Sequence, residues 1–330
     1  MQKKIALLHR YPADRIKETN AAFPYLAEMG VDVLTFKKFN RLGSYKKFWK
    51  SIAWIFYAPF LVIGKGYDVI YCDDSYPFYP VLVKLVSPRS RVVLRIGDFH
   101  LMYHTRGVVY KILHILEILT WKMADAIIAI SDVMADEINK HVKRPARVVF
   151  DPVDPTDFKL SSTDFTSRNT VMFHGVLTRN KNVDILLEAA RRLPRIDFDI
   201  VGDGPDIRRL IHNAPPNVSF LGWVPFKDIK HYIGYCSVGM ALRGDNPGNE
   251  YVVTSPYLQY GVMGKPCLVS RRKVFGNYRW QFSNIEELVQ KIQELIGKSW
   301  AEGEKLQREI LKYHDAEQIA EDIWLILTQR

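Results

Sequence analysis

Short apolar runs alternate with amphipathic stretches along the chain, and this alternation constrains the fold more than any other feature. Ile5–His9, Val31–Phe36, Tyr67–Cys72, Arg91–Ile96, Ala126–Ser131 and Val148–Phe150 read as strands, with helical stretches around Ala21–Glu28 and Val108–Met123 among them. Strands separated by helices pair in parallel through right-handed crossovers, so the first half is expected to be a doubly wound α/β sheet. Residues 151–169, rich in Pro, Asp, Ser and Thr, mark a boundary. The rhythm then restarts. Val171–His174, Phe198–Val201, Val218–Phe220, Val238–Leu242 and Cys267–Val269 read as strands. Val183–Leu193, Asp206–Ile211, Lys227–Cys236, a stretch near Ile285–Ile296, Ala301–Tyr313 and Ala316–Leu327 read as helices. This predicts a second doubly wound domain.

Residues 245–270, DNPGNEYVVTSPYLQYGVMGKPCLVS, organise the second half. Ser255 is expected to cap a helix with Pro256 at its first position, where the missing N–H costs nothing. The helix runs to Met263, stops at Gly264 and leads into the strand from Cys267. A polar loop before a helix N-terminus offers free N–H groups and the positive end of the helix dipole to an anion, commonly phosphate. An ordinary capped helix is the alternative.

A chain of 330 residues has room for two domains, and 48% hydrophobic with 25% charged residues fits a folded soluble protein. The formal net charge of +10 suits an acidic partner: nucleotide phosphates, anionic lipid or nucleic acid. Cys72, Cys236 and Cys267 lie far apart without metal-ligand spacing and read as reduced core thiols of a cytosolic protein. The first residues read as a strand rather than a signal peptide. The longest apolar run, Ile52–Ile63, is interrupted by Pro59 and is short for a membrane span.

Residues 37–66 hold seven Lys or Arg and no acid, interleaved with Phe48, Trp49, Trp54, Phe56, Tyr57 and Phe60. Such a segment either lies on an anionic membrane surface or covers the sheet with its lysines in water. Basic residues clustered with aromatics on one segment, with no nucleic-acid module present, argue against nucleic acid as the partner. Asp73-Asp74 ends a strand, where an acidic pair more often caps a loop than holds a metal. Asp98 and His100 follow the fourth strand and are either a general base with its companion, a clamp on a substrate hydroxyl, or loop caps. Gly202-x-Gly204 lacks the third glycine and the ribose acid of the dinucleotide fingerprint, so NAD is not expected.

HGVLTRNKNVDILLEAARRL, DIVGDGP, VSFLGWVPFKDIKHYI and SPYLQYGVMGKPCLVS, in that order across nearly all of 170–270, resemble the donor half of a retaining nucleotide-sugar glycosyltransferase of the GT-B fold, family 4. ADAIIAISDVMADEI and VVFDPVDPTDF in the first half are similar to the same family. The resemblance implies two Rossmann-like domains facing across a cleft: an acceptor domain over 1–155, a linker over 156–169 and a nucleotide-sugar domain over 170–312. A last helix within 313–330 would return to the first domain. It implies no metal and no cofactor, because cationic side chains and a helix N-terminus neutralise the departing diphosphate. On matching positions, Gly175 and Lys181 would form the donor-phosphate loop. Gly202 and Gly204 would lie on the donor side of the next loop, and Trp223, Val224 and Pro225 beside the base. Thr254, Ser255 and Pro256 would bring the helix N-terminus to the phosphates, with Gln259 on the ribose. Gly97-Asp98 would border the acceptor.

Several positions depart from the family pattern. Gln259 stands for the second acid of the Glu-x7-Glu motif and brings no charge. Tyr251 stands for the first, and Glu250 lies one residue early. Val176 replaces a common phosphate-binding Arg, which leaves Arg179 or Arg243 to substitute, and Gly97 replaces a His, which leaves His100 nearby. The leading expectation is a metal-independent enzyme at the cytosolic membrane face, moving a sugar from a nucleotide diphosphate to a glycan or lipid-linked acceptor. In that reading Lys181 stabilises the leaving group, Asp98 or His100 orients the acceptor, and Glu250 holds sugar hydroxyls. The alternatives are a sugar-nucleotide epimerase and a degenerate protein that binds nucleotide or membrane without turnover.

Overall fold

The computed structural model describes residues 3–12, 15–35, 47–74, 78–99, 107–160 and 169–329, leaving aside the side chains of 47–52, 107–110 and 112. The chain divides into two compact units: Met1–Pro152 with Ala316–Arg330, and Val153–Asp315.

The first unit is a parallel sheet in the order β2-β1-β3-β4-β5-β6. Its strands are β1 (Ile5–His9), β2 (Asp32–Thr35), β3 (Val69–Asp73), β4 (Arg91–Ile96), β5 (Ala126–Ala129) and β6 (Arg147–Val148). Its helices are α1 (Ile16–Thr19), α2 (Phe23–Glu28), α3 (Lys47–Val62), α4 (Tyr79–Val86), α5 (Gly107–Met123), α6 (Asp132–Asn139) and the last helix of the chain, α13 (Ala316–Thr328). β1 and β3 are buried along their whole length, which is why they read as continuous apolar runs. One core joins Leu7, Tyr71, Val93 and Ile128 of the sheet to Phe23 and Leu26 of α2 and to Ile319, Ile323 and Leu327 of α13.

The helix α3 runs through Pro59 rather than stopping there. The proline leaves one carbonyl of the preceding turn without its donor. The ladder resumes past it, where the Ile63 N–H donates to the Pro59 carbonyl at 3.1 Å. Trp54, Ala58 and Val62 face the core, while Phe56, Phe60 and Ile63 are exposed. Part of the basic segment, 37–46, lies outside the described residues.

The second unit repeats the plan in the order β12-β11-β10-β7-β8-β9, again parallel throughout. Its strands are β7 (Thr170–His174), β8 (Asp197–Val201), β9 (Val218–Gly222), β10 (Val238–Ala241), β11 (Cys267–Ser270) and β12 (Gln281–Phe282). Its helices are α7 (Asp184–Arg192), α8 (Ile207–His212), α9 (Ile229–Tyr235), α10 (Ser255–Val262), α11 (Ile285–Ile296) and α12 (Ser299–Tyr313). The two-residue strand β12 has no counterpart in the sequence reading, because two residues show no period. Gly239 of β10 lets α10 lie flat on the sheet: a Cβ there would come 2.2 Å from the Tyr260 ring. The Tyr260 hydroxyl then donates to the Met172 carbonyl at 2.8 Å. Cys72, Cys236 and Cys267 are buried thiols without disulfides.

Candidate active site

In a doubly wound sheet, ligands gather beyond the carboxyl ends of the strands where the strand order reverses. In the second unit that point lies between β7 and β10, and the loops that follow them, 175–183 and 242–254, carry Gly175, Arg179, Lys181, Arg243 and Thr254 of the expected donor residues. The two loops are fastened together, with the Gly244 N–H donating to the Asn180 carbonyl at 2.7 Å. A third loop, after β8, is zipped to the first. The Gly175 N–H donates to Val201 at 3.0 Å, Leu177 to Asp203 at 2.9 Å and Asp206 to Leu177 at 3.2 Å.

Gly202 and Gly204 are needed for that zipper. A Cβ at Gly202 would come 2.0 Å from the Gly175 carbonyl oxygen, and one at Gly204 would come 2.2 Å from that of Leu177. No side chain fits there, so these glycines shape the loop before any contact with a ligand. Gly175 has φ of +146° and Gly202 of +139°, conformations open to glycine and rare for other residues. Val176, at the family's arginine position, is exposed. Arg179 and Lys181 form a short 3-10 turn that Asn182 closes in the left-handed conformation. The Arg179 side chain is largely in water, with its Nε 4.0 Å from Asp206. Trp223 is 72% exposed, whereas Val224 packs on the core beneath it, next to Pro225.

The cap of α10 is Thr254 rather than Ser255. The Thr254 side chain accepts the Tyr257 N–H at 3.4 Å, which puts Ser255 and Pro256 in the first turn. Both residues can cap, and Thr254 sits one residue earlier, where its extended backbone (φ −91°, ψ 142°) suits the cap position. Thr254 is buried and Ser255 exposed. Gln259 is half-buried, one residue past Leu258, which faces the core.

Arg243 is held by the loop it belongs to. Its Nη1 donates to Asn249 Oδ1 at 3.2 Å, and Asn249 Nδ2 donates to the Gly244 carbonyl at 2.8 Å. Arg272, which the sequence reading passed over, is the clasp of the loop. Its Nη2 donates to the Arg243 and Gly244 carbonyls at 2.8 Å and to Asp245 at 3.0 Å. Glu250 accepts the Lys273 N–H at 2.9 Å and stands 3.8 Å from the Arg272 Nε, so it already braces the turn after β11. Tyr251 caps the 3-10 turn formed by Pro247–Glu250.

A second residue missed from the sequence is His174, the last residue of β7. It is 8% exposed, stacks edge-on to Tyr260 at 5.0 Å between ring centres, and its Nε2 has no hydrogen-bond partner among the described residues. Burial, helped by the nearby Lys181 charge, pulls its pKa down to about 3, so the ring is neutral at physiological pH.

In the first unit the strand order reverses between β1 and β3. There His9 Nδ1 meets Asp73 Oδ2 at 2.7 Å, and His9 Nε2 lies 2.9 Å from Thr19 Oγ1. Arg95 Nη1 donates to Asp73 Oδ1 at 2.8 Å, and its Nη2 bonds Asp151. His9 and Asp73 are buried. The Arg95 guanidinium and the His9 hydrogen bond outweigh burial and hold the Asp73 carboxyl down at about 2. Asp73 is therefore part of a buried ionic network rather than a loop cap. Gly97 makes room for it, since a Cβ there would come 2.9 Å from Arg95 Nη1. Asp98 follows, half-buried, and His100 lies outside the described residues. Among the described residues no three His, Cys, Asp or Glu side chains form a metal-sized cluster.

Comparison with known proteins agrees with this architecture. Residues 13–157 match the model of Glycosyltransferase Family 4, and residues 168–298 match that of Glycosyl transferases group 1. No curated protein matches the chain by sequence. Among solved structures, sucrose-phosphate synthase from Thermosynechococcus elongatus is similar over 98% of both chains, with a TM-score of 0.78 at 13% identity. A glycosyltransferase from Rickettsia africae is similar over 99% of this chain and 98% of its own, with a TM-score of 0.70 at 12% identity. The lipopolysaccharide outer core galactosyltransferase WaaB is similar over 98% and 99%, with a TM-score of 0.63 at 14% identity. At these identities the structural likeness establishes the fold, which is GT-B. The chain thus carries a Glycosyltransferase Family 4 domain followed by a Glycosyl transferases group 1 domain, and it is a glycosyltransferase that draws on a nucleotide-sugar donor.

Proposed function

We propose that the protein transfers a sugar, with retention at the anomeric carbon, from a nucleotide diphosphate to a glycan or lipid-linked acceptor. The observation that carries this reading is the fastening of the Gly175–Lys181 loop to the 242–254 loop at the point where the second sheet reverses order. That joint sets one cationic loop beside the loop that leads into α10. The Ser255 N–H and the positive end of the α10 dipole, with Lys181 and Arg243, meet the charge that develops on the departing diphosphate. This cationic set takes over the electrostatic work of the absent Arg at Val176. Gln259 bonds the ribose as a neutral partner, and Trp223, Val224 and Pro225 flank the base. Asp98 and His100, beyond the end of β4, orient the acceptor hydroxyl. Glu250 reaches donor hydroxyls with the oxygen that Lys273 does not occupy. No divalent metal takes part.

The exposed Phe56 and Phe60 of α3, with the exposed Ile63 just past its end, support a peripheral contact with a membrane. Among the described residues no helix is long and apolar enough to cross one. Such a contact brings the enzyme to a lipid-linked acceptor. The test of the reaction is a screen of nucleotide sugars with and without acceptor extracts. Anomeric proton couplings of the product report retention. A product with the inverted configuration overturns the retaining assignment. An epimerised donor without transfer shows a sugar-nucleotide epimerase, and release of neither sugar nor nucleotide shows a binding protein.

A further inference from the structure

A basic hollow opens on the edge of the first sheet opposite to the His9–Asp73 network. All six strands are parallel, and this edge holds their beginnings: Arg91 starts β4, Ala126 starts β5 and Arg147 starts β6. The hollow has a volume of about 670 Å³, and its lining includes Lys84, Arg89, Arg91, Arg144 and Arg147 with one carboxylate, Asp125. That carboxylate is already engaged. Asp125 Oδ2 accepts the Val92 N–H at 2.8 Å and Lys84 Nζ at 2.6 Å. Arg144 donates to the Asp125 backbone carbonyl at 3.0 Å, not to its carboxylate. Among the described residues none of the four arginines forms an ion pair.

One of them is fixed. Arg91 Nη1 donates to the carbonyls of Ile326 at 2.7 Å and Gln329 at 3.0 Å, which anchors it to the C-terminal end of α13. Arg147 reaches Gln329 Oε1 at 2.5 Å. Arg89, Arg144 and Arg147 are otherwise exposed at the rim. Partial burial, with the like charge of Arg147 and Arg144 added to it, lowers the Arg91 pKa from its usual value. Cations crowded around a concavity with their one acid engaged repel one another until an anion arrives, and guanidinium groups match phosphate oxygens in pairs.

We propose that this hollow is a binding site for a phosphate group, separate from the donor site, with Arg91 as its fixed base and Arg89 and Arg144 as its arms. The phosphate belongs either to a free phosphorylated compound or to a lipid headgroup, and the same guanidinium chemistry serves both. The proposal does not rest on the membrane contact of α3.

The test is hydrogen exchange of the full chain with inorganic pyrophosphate, read by peptide so that the donor site in the other unit is resolved from this one. Saturable protection of 84–92 and 143–148 is expected. In Arg89→Ala/Arg144→Ala the protection should need about ten-fold more pyrophosphate or greater, as the loss of two charge-assisted hydrogen bonds implies. Arg89→Glu alone, at an exposed turn position, should do the same and guards against a double variant that folds poorly. Absence of saturable protection there, or equal protection in a folded variant, overturns the site. Flotation with phosphatidylcholine vesicles with and without phosphatidic acid then separates the sources. Flotation that needs phosphatidic acid and is lost in the double variant assigns a lipid phosphate. Pyrophosphate protection with flotation unchanged by the variant assigns a free phosphate compound.

Discussion

Two buried ionisable residues carry the clearest signatures of the site at the level of single side chains. His174 stays neutral in the folded protein down to about pH 3, whereas an unfolded chain protonates its histidines near the ordinary value of 6.5. Between those limits the unfolded state binds the extra proton, so stability falls as pH falls. The slope from this group is about 1.4 kcal/mol per pH unit. Urea denaturation from pH 7 to pH 4 should show that slope, and His174→Phe should lack it. Asp73 works in the same direction at lower pH. Its folded pKa of about 2 lies below the ordinary carboxylate value of 3.8, so its contribution is present above 3.8 and lost as pH falls towards 2. Asp73→Asn strands the partly buried Arg95 beside Asp151 alone. It should cost about 3–5 kcal/mol at neutral pH by denaturant titration, the range for removing one partner of a buried ion pair. A cost under about 1 kcal/mol would mean that the network relaxes into water. His174 did not stand out in the sequence, and Asp73 did so only as half of an acidic pair at a strand end. His9, Asp73, Arg95 and Asp151 are scattered over more than 140 positions, and nothing local in any of them announces the others.

At the scale of elements, the zipped loops after β7 and β8 make a sharper claim about glycine. Gly202→Ala drives a Cβ into the Gly175 carbonyl at 2.0 Å, against backbone that cannot step aside. It should destabilise the second unit by roughly 2 kcal/mol or more, in the range set by strained backbone and overpacking. Nucleotide affinity should fall with it. Gly297→Ala, with open space around its Cβ, is the control and should be near neutral by thermal melting. Similar melting temperatures for the two variants would refute the zipper as a structural joint. The elements themselves were largely legible, because buried parallel strands read as apolar runs and amphipathic helices as a 3.6-residue period. The limits were local. Thr254 and Ser255 can both cap by type, with Ser the more favoured, so the cap of α10 was misplaced by one residue. Pro59 breaks most helices, yet α3 continues past it with its Trp54, Ala58 and Val62 face buried in the core.

At the scale of the molecule, the chain leaves the first unit at Pro152 and returns to it at Ala316. The helix α13 completes that unit's core with Ile319, Ala320, Ile323, Ile326 and Leu327, all buried. Truncation after Asp315 should expose that face, lower the melting temperature of the first unit and leave the second unit's transition in place. A single transition at the wild-type temperature would show that α13 contributes little. The fold-level plan of two parallel sheets was visible in the repeated rhythm and in the order of the family-like motifs. The chemistry was less so, since Val176, Tyr251 and Gln259 depart from the family pattern, and the roles of Arg243, Arg272 and Glu250 depend on loop contacts that spacing does not encode. The central claim is that the joined loops of the second unit, with Lys181 and the α10 N-terminus, still hold a nucleotide diphosphate. Calorimetric titration with UDP, GDP, ADP and dTDP without added metal tests it directly. Micromolar binding of one nucleotide, lost in Lys181→Ala while the fold is retained, is the predicted result. Binding of none of the four, or undiminished binding in Lys181→Ala, would contradict it.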